Sequence, residues 1–242
     1  TQGRTLGGST SVNGMIYNRG QPGDLDSWAQ RGNRGWGYDD CVGYYRRSEN
    51  RIGFGEGNRG RTTGGLPITD MDWFHPVSDA FIAGCQGLGI PRNPDYNSGD
   101  QAGVGYFQRA IQKGRRVSAA VAFLRPALAR GTLDLRTNAR ASRLLFEGKR
   151  AVGVEYLQER GGTPRQVRAR REVIVSAGTA NTARLLQVSG VGPADLLGRL
   201  GVPVVHERRG VGSNFRDHYA SRMVMRAKPG IETLNNLGRG LK

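Results

Sequence analysis

Cysteine is scarce in this 242-residue sequence, where Cys41 and Cys85 are the only two. Thiols so far apart make no metal-ligand spacing and call for no oxidising compartment, so both are read as buried and inert. Histidine is nearly as rare, with His75, His206 and His218 alone. No stretch approaches the ~18 consecutive apolar residues of a membrane-spanning helix. No block of like charges, zinc-finger spacing or RNP-like aromatic motif is present, which argues against a nucleic-acid partner. Thr1-Gln2-Gly3-Arg4 supply neither a start methionine nor the apolar core of a secretion signal, so the sequence reads as beginning in the middle of something longer. A cytoplasmic location is expected, with peripheral attachment to a membrane left open.

What the chain does have is arginine and glycine. Lysine and arginine total 36 against 20 acidic residues, a formal charge of +16. An excess of that size can mark a nucleic-acid or anionic surface. Only Lys113, Lys149, Lys228 and Lys242 are lysines, however, and the arginines are scattered, with local pairs such as Arg115-Arg116 and Arg208-Arg209. An arginine-rich composition accounts for this more simply. The 38 glycines imply many turns, and the length allows one large domain or two with a real core.

Periodicity gives a mixed α/β order. Helices are expected from about 10 to 17, over 38–49, over 76–88, over 118–130 with Ser118 as a cap and Pro126 as a kink or break, and over 181–188. Strands are expected over 104–110, 133–136, 143–147, 151–158 and 165–168, the last pairing with 151–158 across Gly161-Gly162. Residues 172–176, Glu-Val-Ile-Val-Ser, suit a buried parallel strand, and 202–205 an apolar strand that His206 ends. Residues 53–65 read as an exposed loop and 95–99 as a turn.

The run GRTLGGSTSVNGMIYNRG at residues 3–20 is the most informative. Paired glycines at Gly7-Gly8 let backbone approach a ligand closely, and a hydroxyl residue such as Ser9 suits a helix start whose N–H groups attract phosphate. On these grounds alone, a pyrophosphate-facing turn and a plain glycine turn both stand. The whole string resembles the first signature of the glucose-methanol-choline (GMC) oxidoreductases, flavoenzymes that oxidise alcohols. The likeness rests on Arg4, Leu6-Gly7-Gly8-Ser9-Thr10, Val12-Asn13, Tyr17 and Gly20, and continues through Asp24, Asp26, Trp28 and residues 32–40. GTANTARLLQVSGVG at 178–192 resembles the second family motif, with Ala183 where proline is usual. Residues 210–218 resemble a third segment, with Arg216 in place of glutamine.

The resemblance implies an α/β fold: an FAD/NAD(P)-binding, Rossmann-like domain, incomplete here, and interrupted by part of an α+β substrate-binding domain. Residues 1–72 and 115–225 would belong to the FAD-binding domain, and 73–114 and 226–242 to the substrate domain. It implies FAD as cofactor, bound non-covalently, because Val12 stands where covalently flavinylated members carry histidine. Thr5, Gly7, Gly8 and Ser9 would line the approach to the diphosphate and ribityl chain. Asn13, Gly14, Met15 and Ile16 would lie against the isoalloxazine, and Ala141 would present backbone to the adenine. The substrate would be a small alcohol, with oxygen, quinone or another acceptor open.

None of the three histidines matches the family's catalytic motif, so no catalytic residue is expected in the chain, and no metal. No G-x-G-x-x-G turn follows a strand anywhere. The chain is therefore expected to be a central piece of such an enzyme, inactive alone, its sheet left with an unpaired internal edge. A non-catalytic flavin-binding remnant is the alternative. By alignment, the choline-oxidising branch carries a glutamate at Arg226 or next to it at Met225; an arginine there would repel a quaternary ammonium, and a methionine would be neutral.

Overall fold

A computed structural model of the chain describes residues 2–53, 64–158, 162–218 and 224–233. The polypeptide divides into two compact units, Thr1–Asp134 with Ala227–Lys242, and Leu135–Arg226.

In the first unit, the N-terminal run forms a single 3-10 turn, Gly8–Ser11, where a helix from 10 to 17 is expected. Asn13 Oδ1, rather than a backbone carbonyl, accepts from Met15 N, and Met15 turns to φ +65°, so the turn cannot continue as a helix. Helix α1, Pro22–Gln30, starts on a proline whose missing N–H costs nothing at that position. Asp24 accepts from Gln21 N at 3.3 Å, satisfying a donor at the helix start. Helix α2, Tyr38–Ser48, begins in the same way, with Asp40 Oδ2 accepting from Gly37 N and Asp26 Oδ1 from Tyr38 N. Trp28 and Trp36 pack their rings 5.8 Å apart between the two. The acidic and aromatic residues at 24–40 thus cap and clasp a helix pair.

Strand β1, Glu49–Ile52, runs parallel to β2, Leu66–Thr69. Arg109 extends this patch, bridging Thr69 on one side and Ile16 on the other. The expected strand over 104–110 is reduced to these bridges and one between Val104 and Arg92. The expected 53–65 loop falls mostly outside the described residues. Helix α3, Pro76–Gly87, forms as periodicity suggests, and His75 Nδ1 caps it by accepting from Val77 N. A short hairpin follows, β3 Ile111–Gln112 against β4 Arg115–Arg116. The helical segment changes type beside Pro126, in line with the expected break. A π-helical turn, Ala120–Leu124, runs into α4, Arg125–Ala129, where the proline occupies the first turn. Ser118 supplies its backbone carbonyl to Ala122 N rather than a hydroxyl cap. Cys41 and Cys85 are free and half-buried rather than fully enclosed.

In the second unit, β5 Arg140–Glu147, β6 Arg150–Leu157 and β7 Arg165–Arg168 form an antiparallel meander. Residues 133–136 do not form the expected strand. Helix α5, Thr179–Val188, is tied to the sheet by Ser189, whose buried Oγ accepts from Leu144 N at 2.8 Å and donates to Leu185 O. Strand β8, Val191–Gly192, pairs in parallel with β9, His206–Glu207. Between them lies α6, Ala194–Arg199. Pairing therefore begins at His206, not over 202–205. Residues 172–176 also depart from expectation: they form no strand, and Ile174 is 78% exposed. A parallel strand is held by ladder partners on its flanks, and among the described residues none lies against this segment. No helix among the described residues is long and apolar enough to cross a membrane.

Candidate functional site

The predicted cofactor residues fall in two places. Thr5, Gly7, Gly8, Ser9, Asn13, Gly14, Met15 and Ile16 form one continuous loop in the first unit. Ala141 stands half-buried on β5 of the second.

The loop is built around Gly7. Its φ of +87° lies in the left-handed region, and a Cβ there would stand 2.6 Å from Ser11 Oγ and 3.1 Å from Ala120 N. Only glycine fits such a position without strain. Gly8 is left-handed too, at φ +55°, but a Cβ built on it meets nothing within 4 Å, and the same holds at Gly14. These two glycines leave open space on the face where Thr5, Ser9 and Asn13 are exposed. Gly3 closes the turn from behind, donating its N–H to Ser9 Oγ at 3.2 Å.

Two segments distant in sequence hold the loop. Arg116 Nη1 donates to Asn13 Oδ1 at 2.8 Å and to Thr10 O at 3.2 Å. Ala119 N donates to Thr10 Oγ1 at 2.9 Å. Past the turn, Met15 adopts φ +65°, and Asn13 Oδ1 also accepts its N–H. Met15 O then accepts from Ala110 N, and Tyr17 N donates to Gln108 O, both at 2.9 Å. Burial pushes the Tyr17 phenol above its ordinary pKa, opposed by the Arg19 guanidinium. The arrangement offers hydroxyl and amide groups beside open glycine backbone, a donor set that fits the phosphates and polar edges of a dinucleotide.

A second concave region lies wholly within the second unit. It is an open groove of about 600 Å³ at the start of α5, lined by Ser176, Gly178, Thr179, Thr182, Gly210 and Gly212 among others. The second family-like motif and the 210–218 segment meet here. Gln187 joins them, its Nε2 donating to Val211 O at 3.0 Å. Gly212 adopts φ +82°, in the left-handed region that favours glycine. A strand that ends in the small-residue turn Ala177-Gly178 and enters a helix is the usual dinucleotide-site geometry, and on that ground the 172–188 segment is itself a candidate for the cofactor. The strand does not form, but the turn and α5 do, and only the fold shows that they share one surface with Gly210 and Gly212.

His75 caps α3 and lies against Trp73 with ring centroids 5.4 Å apart. His206 lies on β9, and His218 is exposed beside Asp217, whose pKa its backbone N–H lowers. No cluster of histidine, cysteine and carboxylates among the described residues is arranged to hold a metal ion.

The GMC oxidoreductase family model matches residues 1–220. The oxygen-dependent choline dehydrogenase of Brucella ovis is 45% identical over 217 residues, which cover 90% of this chain and 39% of that protein. The mitochondrial choline dehydrogenase of Homo sapiens is 42% identical over the same share of this chain and 36% of its own. The chain thus spans well under half the length of these curated relatives. Among solved structures, an FAD-dependent oxidoreductase from Chaetomium thermophilum superposes with a TM-score of 0.81 at 29% identity, over 86% of this chain and 38% of that one. Pyridoxine 4-oxidase from Mesorbium loti gives 0.76 at 35% identity, over 85% and 40%. The chain therefore belongs to the GMC oxidoreductase family, and the α/β structure it carries is part of that family's FAD-binding domain.

Proposed function

We propose that this chain works as part of an FAD-dependent oxidoreductase acting on the CH–OH group of a small alcohol. The observation that carries the reading is the loop at 5–16. It combines a left-handed, closely packed Gly7 with open space at Gly8 and Gly14, inside the residues that the family model matches. When bound, FAD would supply the acceptor for the hydride that leaves the alcohol carbon, at its N5.

The chain's own residues would bind and orient it. Thr5, Gly7, Gly8 and Ser9 would face the diphosphate and ribityl chain, since bare backbone and small hydroxyls allow close approach to phosphate. Asn13, Gly14, Met15 and Ile16 would border the ring, with Arg116 fixing Asn13 from behind. Ala141 would offer backbone to the adenine. Val12 is 54% exposed and carries no nucleophile, which supports dissociable rather than covalent flavin. His75 is engaged as a helix cap, so the base for the alcohol proton would come from outside these residues. In domain terms, 1–72 and 115–225 would serve FAD, and 73–114 and 226–242 the substrate.

The test is a Gly8→Leu substitution in the whole protein, which should lower FAD occupancy well below that of Gly8→Ala, which carries the same left-handed backbone strain without the bulk. Full flavin occupancy in Gly8→Leu would remove this loop from the cofactor site. Flavin that stays with the unfolded polypeptide would remove the non-covalent reading. The relatives named as choline dehydrogenases favour choline as substrate; the exposed residues Met225 and Arg226 favour an uncharged or acidic alcohol instead. Comparing kcat/KM for choline and for neutral primary alcohols decides between them.

A further inference from the structure

Directly after the proposed ring-facing residues, the backbone is held by a side chain rather than by a strand. Met15 O and Tyr17 N are bonded to Ala110 N and Gln108 O, two rungs of a ladder. The next two polar groups, Tyr17 O and Arg19 N, have no strand partner. Asn97 takes both: its Nδ2 donates to Tyr17 O at 3.2 Å, and its Oδ1 accepts from Arg19 N at 2.7 Å. The same Nδ2 donates to Gln108 Oε1 at 2.8 Å, which ties the clamp back to the pairing segment. Asn97 O accepts from Arg19 Nη1 as well.

This amide is enclosed, with Asn97 and Gln108 each 1% exposed. It is also fixed from its own side. Asp95 Oδ1 accepts from Asn97 N, Asn93 Oδ1 accepts from Asp95 N, and Gln108 Nε2 donates to Pro94 O. A buried amide whose donor and acceptor are both committed sets one register and tolerates no other. Aspartate in its place would keep an acceptor for Arg19 N but turn an oxygen toward Tyr17 O and Gln108 Oε1. Leucine would bond to neither.

We infer that Asn97 is a positioning residue: its amide replaces a strand and fixes the Met15–Ile16–Tyr17 backbone against which the flavin ring is proposed to lie. The inference rests on the FAD reading above for its consequence, but not for the clamp itself. The bonds from Asn97 to the loop run to residues 17 and 19, beyond the proposed ring-facing residues, so its effect should appear at the ring end of the cofactor.

The experiment uses the whole protein. In the unsubstituted protein, amide hydrogen exchange at Tyr17 and Arg19 should be as slow as in the middle of α3, although neither residue lies in a regular element. Fast exchange at Arg19 overturns the clamp, and this measurement needs no variant to fold. In Asn97→Asp, exchange at 15–19 should rise at least about tenfold with α3 unchanged, as loss of a buried hydrogen bond predicts. The flavin that remains bound should show altered visible absorption and fluorescence, which a purely structural loss of stability would not produce. An unaltered flavin spectrum alongside raised exchange overturns the positioning role. An unsubstituted protein that takes up no FAD overturns the functional reading instead, and is recognised because it involves no substitution.

Discussion

Both units bury apolar side chains, Leu25, Ile68 and Ile82 among them in the first, but the first also encloses a set of charged and amide side chains. In the second, apolar side chains from regular elements meet: Leu144, Val152, Tyr156, Leu185 and Leu197 are all buried on or beside an antiparallel sheet and its helices. In the first, the most enclosed side chains include Glu49, Asp95, Asn97 and Gln108, each exposed by 2% or less, with Arg19 close behind at 5%. Arg19 pairs with Glu49 there, and Arg51 reaches both Asp70 and Asp95. The difference follows from the chain path. Irregular segments leave backbone groups without ladder partners, and buried polar side chains supply the missing bonds. The proposed flavin-facing loop is thus supported by a polar frame, whose geometry is directional. A packed apolar core would be non-directional and more forgiving.

Breaking that frame at its most enclosed ion pair should give the largest effect. Glu49→Leu alone leaves the buried Arg19 charge uncompensated and should destabilise the protein by about 3–5 kcal/mol. The double variant Arg19→Met with Glu49→Leu should recover most of the loss, because no charge is left stranded. Chemical denaturation of the three proteins measures this. A double variant as unstable as Glu49→Leu would show that the pair matters for more than its own neutralisation.

The apolar unit should lose somewhat less from a comparable insult. Leu197 is fully buried, and Leu197→Ala should cost about 3 kcal/mol through lost transfer energy and the cavity left behind. A loss below ~1 kcal/mol in a denaturation midpoint series would mean that the α6 region collapses readily around the change.

Gly7 and Gly8 sharpen the contrast between support and site. Gly7→Ala should cost about 1–2 kcal/mol, from an l-residue forced into left-handed backbone, with more if Ser11 Oγ cannot move aside. Gly8→Ala meets open space, so any stability change should be smaller than at Gly7. Equal losses at the two positions would contradict the placement of the open face.

The smallest effect concerns the rim of the second unit's sheet. Glu155 has its carboxyl held below its ordinary value of 4.5, mainly by Arg143 and then by Ser142. A carboxylate whose folded pKa is depressed contributes stability that is complete above its unfolded pKa and lost as pH falls through the folded one. Stability should therefore decline on acidification below about 4.5, and Glu155→Gln should flatten that part of the profile. A profile unchanged by the substitution would show that solvent screens the Arg143 contact entirely.

Much of the second unit was legible from residue order. Alternation over 143–147, 151–158 and 165–168 is a local property, and hairpin neighbours pair with little choice of partner. The helices at 38–48, 76–87 and 179–188 were equally readable, because capping and apolar spacing act within one or two turns. In the candidate site, the identity of the loop was legible through its motif, including the glycines that leave space. What was not legible was its support. Arg116 lies 103 residues from Asn13, and Asn97 lies 78 from Arg19, so no window along the chain joins them.

Sequence by itself determined the family, the helices α2, α3 and α5 and the strands β5 to β7, because each is written in short-range spacing of residue types. Tertiary structure alone decided that Gly7 is a packing requirement while Gly8 is open. It also made Asn97 a substitute strand, left 172–176 unpaired, and gathered residues 176–186 and 210–212 around one groove. The physical reason is common to all four. Whether a backbone group is satisfied, and whether a glycine faces a neighbour or empty space, depends on what the fold brings up from elsewhere in the chain.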